Sequence, residues 1–75
     1  MGMIYAELRG GPRDGETVTV SATSYGPPMA VQVAEIRGVS LFDSHRFIHT
    51  YVLEPGSETE HNRWSYKYES TYERP

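Results

Sequence analysis

Three histidines are the residues of this sequence whose type best suits metal binding or acid–base chemistry. His45 and His49 lie four residues apart, and the β-branched and aromatic residues around them predict a strand. On a strand, residues four apart share a face but lie about 13 Å from each other, too far to share one zinc ion at roughly 2.1 Å per bond. His61 lies in a polar segment and could approach them, although nothing in the pattern requires it. We therefore expect polar surface or half-buried histidines and no metal site.

Asp43, Ser44 and His45 have the residue types of a hydrolase triad, but they are adjacent in the chain. A working triad brings its nucleophile, base and acid together from separate elements, so adjacency is the wrong arrangement. An enzyme would instead need His45 or His49 to meet a carboxylate in a pocket, and a chain this short has little room for one. We predict that the protein is not an enzyme, and that it has no catalytic residues and no cofactor.

A glycine-rich segment, Gly-Gly-Pro-Arg-Asp-Gly at residues 10–15, has the composition of a tight turn. Phosphate-binding loops place their glycines ahead of a helix, usually with a Lys and a Ser or Thr. Here the glycines precede a strand pattern, and Asp14-Gly15 is among the strongest hairpin signals because both positions tolerate positive φ. We interpret the segment as a hairpin turn and not as a phosphate site.

The most informative pattern for binding is the aromatic alternation of residues 63–69. Trp64, Tyr66 and Tyr68 point to one side of the predicted strand, and polar residues point to the other. These rings could cover the core of a small barrel or sandwich. Alternatively, they could form a partly exposed patch that binds a protein, a second copy of the chain, or single-stranded nucleic acid. The candidate partner-binding residues are Trp64, Tyr66, Tyr68, Arg63 and Tyr51.

Length and composition limit the protein to one small globular domain over residues 1–75. The 75 residues are 37% hydrophobic and include seven glycines, five prolines and no cysteine, so the core is thin and has no disulfide or thiol support. Small domains without such support commonly associate with themselves, and a homodimer is expected as readily as a monomer.

The charge balance bears on possible partners. The formal net charge is −3, with a single lysine and scattered arginines, whereas proteins that grip phosphate backbones cluster their cations. We therefore regard nucleic acid as an unlikely partner. No apolar run approaches the roughly 20 residues of a membrane span, and the N-terminus lacks the pattern of a signal peptide. We expect a cytoplasmic protein without membrane contact.

The elements that must position these residues are strands. Residues 3–9 and 16–21 alternate in polarity and predict a hairpin around the glycine turn, with Val18 and Val20 facing inward. Residues 22–29 contain two adjacent prolines and predict a loop.

A third strand is predicted over residues 30–37, where Ile36 is out of phase with Val31 and Val33. A β-bulge near Ala34 and Glu35 would return Ile36 to the core face, and a short helical turn is the alternative.

The second half of the chain predicts two further strands. Residues 38–44 are ambiguous, and residues 46–53 form a strong strand, apolar on both faces in its second half. Residues 54–62 form a polar loop whose glutamates lack the ligand spacing of a calcium site. The last strand covers residues 63–69, and a polar tail follows from Ser70. The fold class is all-β, with about five short antiparallel strands in a partly open barrel or a strongly bent sheet.

Two segments together resemble a known group of proteins. The Gly-Gly-Pro-Arg-Asp-Gly turn is similar to the Gly-Gly-Pro-x-Asp-Gly opening of many small uncharacterised proteins of actinobacteria and their phages. Those proteins, like this one, close with a Tyr-x-Leu strand, here Tyr51-Val52-Leu53, and an Arg-Trp-x-Tyr strand, here Arg63-Trp64-Ser65-Tyr66. The resemblance covers about 25 residues and implies a small phage or actinobacterial accessory protein. It implies no activity and no catalytic residues.

Taken together, the patterns favour a non-enzymatic binding module that contacts a protein partner, or a copy of itself, through the aromatic strand. The alternative from a different class is a small β-barrel that binds single-stranded nucleic acid by stacking bases on the same rings.

Overall fold

A computed structural model of the chain describes residues 2–38, 45–58 and 62–74. Its elements, in chain order, are β1 (Met3–Arg9), a short 3-10 turn (Gly11–Arg13), β2 (Thr17–Ser21), β3 (Ala30–Arg37), β4 (His45–Leu53) and β5 (Arg63–Arg74). The predicted all-β class, the number of strands and the opening hairpin are confirmed. In this part of the chain, no helix is long and apolar enough to cross a membrane.

The five strands form one sheet in the order β2-β1-β5-β4-β3. Its three hairpin-type pairs, β1 with β2, β3 with β4 and β4 with β5, are antiparallel as expected. The β1–β5 pair is parallel, whereas the sequence pattern predicted antiparallel strands. A parallel pair needs a long crossover, and here the three intervening strands provide it. The sheet curls into a nearly closed barrel whose seam remains open between its edge strands.

The hairpin turn depends on two glycines with positive φ, one of which lies directly against an aromatic ring. Gly10 and Gly11 have φ values of 82° and 66°, a region that residues with a side chain rarely adopt. A Cβ added to Gly11 would lie 2.4 Å from the Tyr68 ring, so the ring packs directly on the turn. The Asp14 carboxylate accepts a hydrogen bond from the Gly10 N–H at 2.6 Å and closes the loop.

The register divides the sheet into a core face and an outer face, because residues directly opposite each other point to the same side. The core face carries one buried apolar cluster, formed by Ile4, Ala6, Leu8, Val31, Tyr51 and Tyr66. Val18 and Val20 pack against this cluster and are half-buried, as predicted. The outer face carries the alternate residues of each strand.

Tyr51 connects the two halves of the sheet. It is fully buried on β4, and its hydroxyl reaches across β5 to the hairpin turn. There the hydroxyl donates to the Gly10 carbonyl at 2.8 Å and accepts from the Arg13 N–H at 2.9 Å. The Tyr51 ring meets Tyr68 edge to face, with centroids 5.5 Å apart. One side chain therefore satisfies two backbone groups of the turn and packs against a core ring.

The prediction for the end of β3 was wrong. The β3–β4 register runs without interruption from Ala30 to Arg37, so there is neither a bulge at Ala34 and Glu35 nor a helical turn. Strict alternation therefore places Ile36 on the outer face, where it is 68% exposed.

The bulge lies instead in β5, which is longer than predicted. Thr50 is opposite Ser70, whereas Tyr51 is opposite Tyr68, so Glu69 is the extra residue. The strand continues past this bulge to Arg74, where the sequence suggested a polar tail. The bulge hides the continuation because it reverses the alternation of polar and apolar residues between Tyr68 and Tyr72.

Beyond the end of β1, only three strands remain. Residues 34–37, 45–50 and 70–74 form a three-stranded arm that extends the sheet, in keeping with principal extents of 43 × 24 × 16 Å. No member of the buried apolar cluster belongs to this arm. The arm therefore exposes both of its faces more than the body of the sheet does.

Several sequence predictions fall outside the described residues. These are the core content proposed for residues 39–44, Asp43 and Ser44 of the triad-like segment, and His61.

Replacing Tyr51 with Phe should lower the free energy of unfolding by about 1–3 kcal/mol, because two partly buried backbone groups of the turn lose their partner. Urea denaturation of the purified protein measures this change. Tyr25→Phe is the matched control, since Tyr25 is 99% exposed and its loss of a hydroxyl should leave stability unchanged. Equal stability of the two variants would contradict the role assigned to Tyr51.

Candidate interaction surface

The aromatic residues of β5 face the core. Tyr66 is fully buried, and its hydroxyl donates to the Pro28 carbonyl at 2.7 Å. Burial raises the pKa of this hydroxyl, which keeps the donor protonated. Trp64 and Tyr68 are half-buried against the same apolar cluster. Of the predicted partner-binding residues, Tyr66 and Tyr51 thus have no side-chain surface left for direct contact, whereas Trp64 and Tyr68 retain some.

Arg63, the remaining predicted contact residue, lies on the opposite side of the strand. Its guanidinium group is 3.1 Å from the Glu7 carboxylate and 5.8 Å from the centre of the Tyr5 ring. The structure therefore does not bring Arg63 together with the rings of Trp64, Tyr66 and Tyr68. The predicted set divides between the two faces of the sheet.

Both described histidines meet carboxylates on the core face of the arm. His45 is exposed and pairs with Glu73 across β4 and β5. His49 is fully buried, in contrast to the half-buried or surface position expected, and its Nε2 lies 2.7 Å from Glu35. The two histidines share a face of one strand, as predicted, and each has its own acidic partner.

His49 belongs to a chain of hydrogen bonds that crosses the three strands of the arm. Its Nδ1 lies 2.8 Å from the Thr71 hydroxyl, which is 2.6 Å from the Tyr68 hydroxyl. A neutral imidazole satisfies every partner: Tyr68 donates to Thr71, Thr71 donates to Nδ1, and Nε2–H donates to Glu35. The chain thus joins the arm to the ring that packs on the hairpin turn.

Glu35 anchors the outer end of this chain. Hydrogen bonds from Arg37 and then from His49 lower the pKa of the Glu35 carboxyl from 4.5 to about 2. The carboxylate is therefore ionised at neutral pH and serves as an acceptor. Arg37 lies 3.0 Å from it and also stacks 4.8 Å from the centre of the Phe47 ring, which holds the pair against the strand.

Thr71, His49 and Glu35 have the residue types and contacts of a nucleophile, a base and an orienting acid. The surface depressions described in the structure lie around Arg9, Glu54 and Lys67, and none of them is lined by the Thr71–His49–Glu35 group. Thr71 Oγ1 contacts both His49 and Tyr68, both imidazole nitrogens of His49 are hydrogen-bonded, and Glu35 Oε1 accepts from Arg37 and His49. The arrangement therefore links the three strands of the arm.

A metal site needs several His, Cys, Asp or Glu side chains close together. Among the described parts of the chain, no group of three or more His, Cys, Asp or Glu side chains is arranged to hold a metal ion. On this face, His45 contacts Glu73 and His49 contacts Glu35.

The outer face concentrates positive charge on a protein whose net charge is negative. Five of the seven Lys and Arg residues in the sequence lie there, and Glu7 is the one acidic residue that the strand register assigns to it among the described residues. The five cations are Arg9, Arg46, Arg63, Lys67 and Arg74. Composition alone could not reveal this segregation, because it depends on which side of each strand the residues point to.

At the arm, the outer face combines two of these cations with apolar side chains. Ile36, Arg46 and Arg74 form one row across β3, β4 and β5, and Ile48 lies opposite Tyr72 in the next row. Ile36 and Tyr72 are 68% and 48% exposed, and Ile48 between their strands is buried. We call these five residues the outer patch. The sequence did not indicate this patch, because its pattern predicted Ile36 in the core and Tyr72 in a polar tail.

These features define a small all-β domain whose core face is packed with its own aromatic residues. A family model described as a domain of unknown function (DUF8847) matches residues 4–70, and the chain belongs to that family. No curated protein and no solved structure matches it. The matched range ends at residue 70, before Tyr72 and Arg74 of the outer patch.

The lowered pKa of Glu35 predicts a specific loss of stability in acid. A carboxyl whose pKa is lower in the folded state stabilises the fold above its unfolded value of 4.5, and this contribution is lost as the pH falls toward about 2. Glu35→Gln should remove this part of the pH dependence, as measured by urea denaturation at a series of pH values. Glu58→Gln, in an exposed loop segment, controls for the loss of any carboxylate. Parallel stability profiles for the wild type and Glu35→Gln would refute the assignment.

Proposed function

We propose that the domain is a non-enzymatic interaction module that contacts a protein partner through the outer patch. The observation that carries the proposal is the composition of this patch on the face opposite the buried apolar cluster. Tyrosine and arginine are enriched among the residues that dominate binding energy at protein interfaces, whereas lysine is depleted at them. Tyr72, Arg46 and Arg74 supply that chemistry beside the exposed Ile36.

The arrangement of the patch supports contact more than single exposed residues would. Isolated apolar residues are common on protein surfaces and need no explanation. Here Ile36 and Tyr72 lie in adjacent rows, with the buried Ile48 between their strands. They form a continuous surface across three strands, which can pack against a complementary surface as a unit.

The position of the patch on the arm also supports the proposal. The arm contributes nothing to the buried apolar cluster, and its core face is held by the hydrogen bonds of His49 and Glu35. A segment that projects beyond the core and is ordered by its own network suits presentation of a surface. β5 thus remains the proposed contact strand, chiefly through the face opposite Trp64 and Tyr68, whose own contact role stays a prediction.

The setting of this interaction rests on the sequence resemblance. We propose a cytoplasmic accessory protein of an actinobacterium or its phage, which makes an actinobacterial lysate the first source of partners. Self-association is a further proposal, since β2 and β3 are edge strands of the sheet and uncovered edges can pair between copies. Light scattering during size exclusion measures it directly.

Single-stranded nucleic acid is the second candidate partner. The observation in its favour is that Tyr72, a ring on which a base could stack, adjoins Arg46 and Arg74. Against it, Arg63 and Arg9 on the same face are already paired with Glu7 and Glu54, and the chain has a net charge of −3. The balance favours a protein.

The test compares proteins captured from an actinobacterial lysate by the wild type and by the double variant Ile36→Ser/Tyr72→Ser. A protein captured in stoichiometric amount by the wild type is purified and its binding is measured by calorimetry. Because burial of two apolar side chains at an interface contributes a few kcal/mol, we expect binding at least about tenfold weaker for the double variant.

Tyr25→Ser is the control for this experiment, since it removes an exposed tyrosine outside the patch. Circular dichroism first establishes that all variants are folded. Undiminished binding of the purified partner by the double variant would refute the proposal, as would recovery of nucleic acid alone.

A further inference from the structure

We infer that Arg46 and Arg74 together bind a carboxylate of the partner, so that the partner presents an acidic group next to an apolar side chain. This inference rests on the proposed function and specifies the chemistry that the outer patch recognises. Arg46 and Arg74 are directly opposite each other on β4 and β5, and both are exposed. Neighbouring strands lie about 4.8 Å apart, so both guanidinium groups can reach a single anion.

The pair is unusual because like charges directly opposite on a sheet repel each other. Among the described residues, four of the seven Lys and Arg side chains pair with a carboxylate: Arg9 with Glu54, Arg13 with Glu16, Arg37 with Glu35, and Arg63 with Glu7. In the described parts of the chain, neither Arg46 nor Arg74 lies within ion-pair distance of a carboxylate. The fold therefore keeps two adjacent positive charges that a bound anion would neutralise.

The surroundings of the pair favour a carboxylate of a protein over a nucleic acid. Arginine matches carboxylate and phosphate equally well, because its planar fork donates two parallel hydrogen bonds to either. The next cation along β5 is Lys67, seven residues from Arg74, or roughly 23 Å along the strand. Between them, the outer face presents Tyr72 and Ser70 and no cation. A nucleic acid, which carries a charge at every nucleotide, would find no continuous track, whereas one carboxylate needs only this pair.

The apolar residues next to the pair define the rest of the ligand. Ile36 occupies the same row as the arginines, and Tyr72 lies two residues before Arg74 on the same face. A segment that places Glu or Asp beside Leu or Val would fill both parts of the patch. Such an alternation is that of an extended strand, and we infer that the partner presents one.

The inference is tested with labelled peptides in which glutamate and leucine alternate. Fluorescence anisotropy at low salt compares this peptide with the same peptide carrying glutamine in place of glutamate, and with a short oligothymidylate. Because hydrogen bonds to charged groups contribute more than neutral ones, Arg46→Gln and Arg74→Gln should each bind the acidic peptide roughly tenfold more weakly than wild type. Arg13→Gln removes the same charge at the hairpin turn and should bind like wild type.

A second readout separates recognition from a structural role. Removing one of two opposed like charges should leave the thermal stability of Arg74→Gln equal to or higher than that of wild type, while peptide binding falls. Four results would each overturn the inference: equal binding by Arg74→Gln and Arg13→Gln, a less stable Arg74→Gln, no preference for the acidic over the glutamine peptide, or tighter binding of the oligothymidylate.

Failure of carboxylate recognition can be distinguished from failure of the proposed function. If Ile36→Ser/Tyr72→Ser weakens binding of the captured partner but Arg46→Gln and Arg74→Gln do not, the patch is a contact surface without carboxylate recognition. If neither set of variants weakens that binding, both proposals fail.

Discussion

The buried hydroxyl of Tyr51 is the contact on which the rest of the structure depends. β1 and β2 join the other strands through the parallel pair with β5, and Tyr51 adds a second connection from β4 to their turn. The same side chain packs edge to face on Tyr68, whose ring lies against Gly11. Tyr68 in turn begins the hydrogen-bond chain through Thr71 and His49 that orders the arm. In a chain without cysteine and with a thin core, this continuous set of contacts does what a disulfide does in other small domains.

Burial of these tyrosine rings bears on which face of the sheet can contact a partner. The side chains of Tyr51 and Tyr66 are buried in the core, and each hydroxyl donates a hydrogen bond to a backbone carbonyl. The other side of the sheet carries five of the seven Lys and Arg residues. In the arm, that side combines arginines with exposed apolar groups, while the His49 and Glu35 network holds the opposite side. We propose that these three strands are stabilised through one face and contact a partner through the other.

Much of the fold could be predicted from the sequence, because its strands alternate and its turn has a distinctive composition. β1 and β3 have the predicted bounds, and Gly10, Gly11 and Gly15 adopt positive φ values, whereas Asp14, for which the hairpin signal allowed a positive φ, has a φ of −53°. The parallel β1–β5 pair could not be predicted, since strand order depends on contacts between distant segments. The bulge at Glu69 broke the alternation of β5, and it concealed Tyr72 and Arg74 in an apparent tail. Ile36 was predicted to face the core through a bulge, but the uninterrupted β3–β4 register places it on the outer face. Three of the five residues of the outer patch, Ile36, Tyr72 and Arg74, are among these misassigned positions.

The most direct measurement of the central claim is chemical footprinting of tyrosine and tryptophan side chains by mass spectrometry, with and without the captured protein partner. We predict that Tyr72 is modified in the isolated domain and protected in the complex. We also expect Tyr25 to be modified in both states and Tyr51 and Tyr66 to be modified in neither. Protection of Trp64 and Tyr68 with unchanged modification of Tyr72 would contradict it, and would place the contact on the aromatic side of β5.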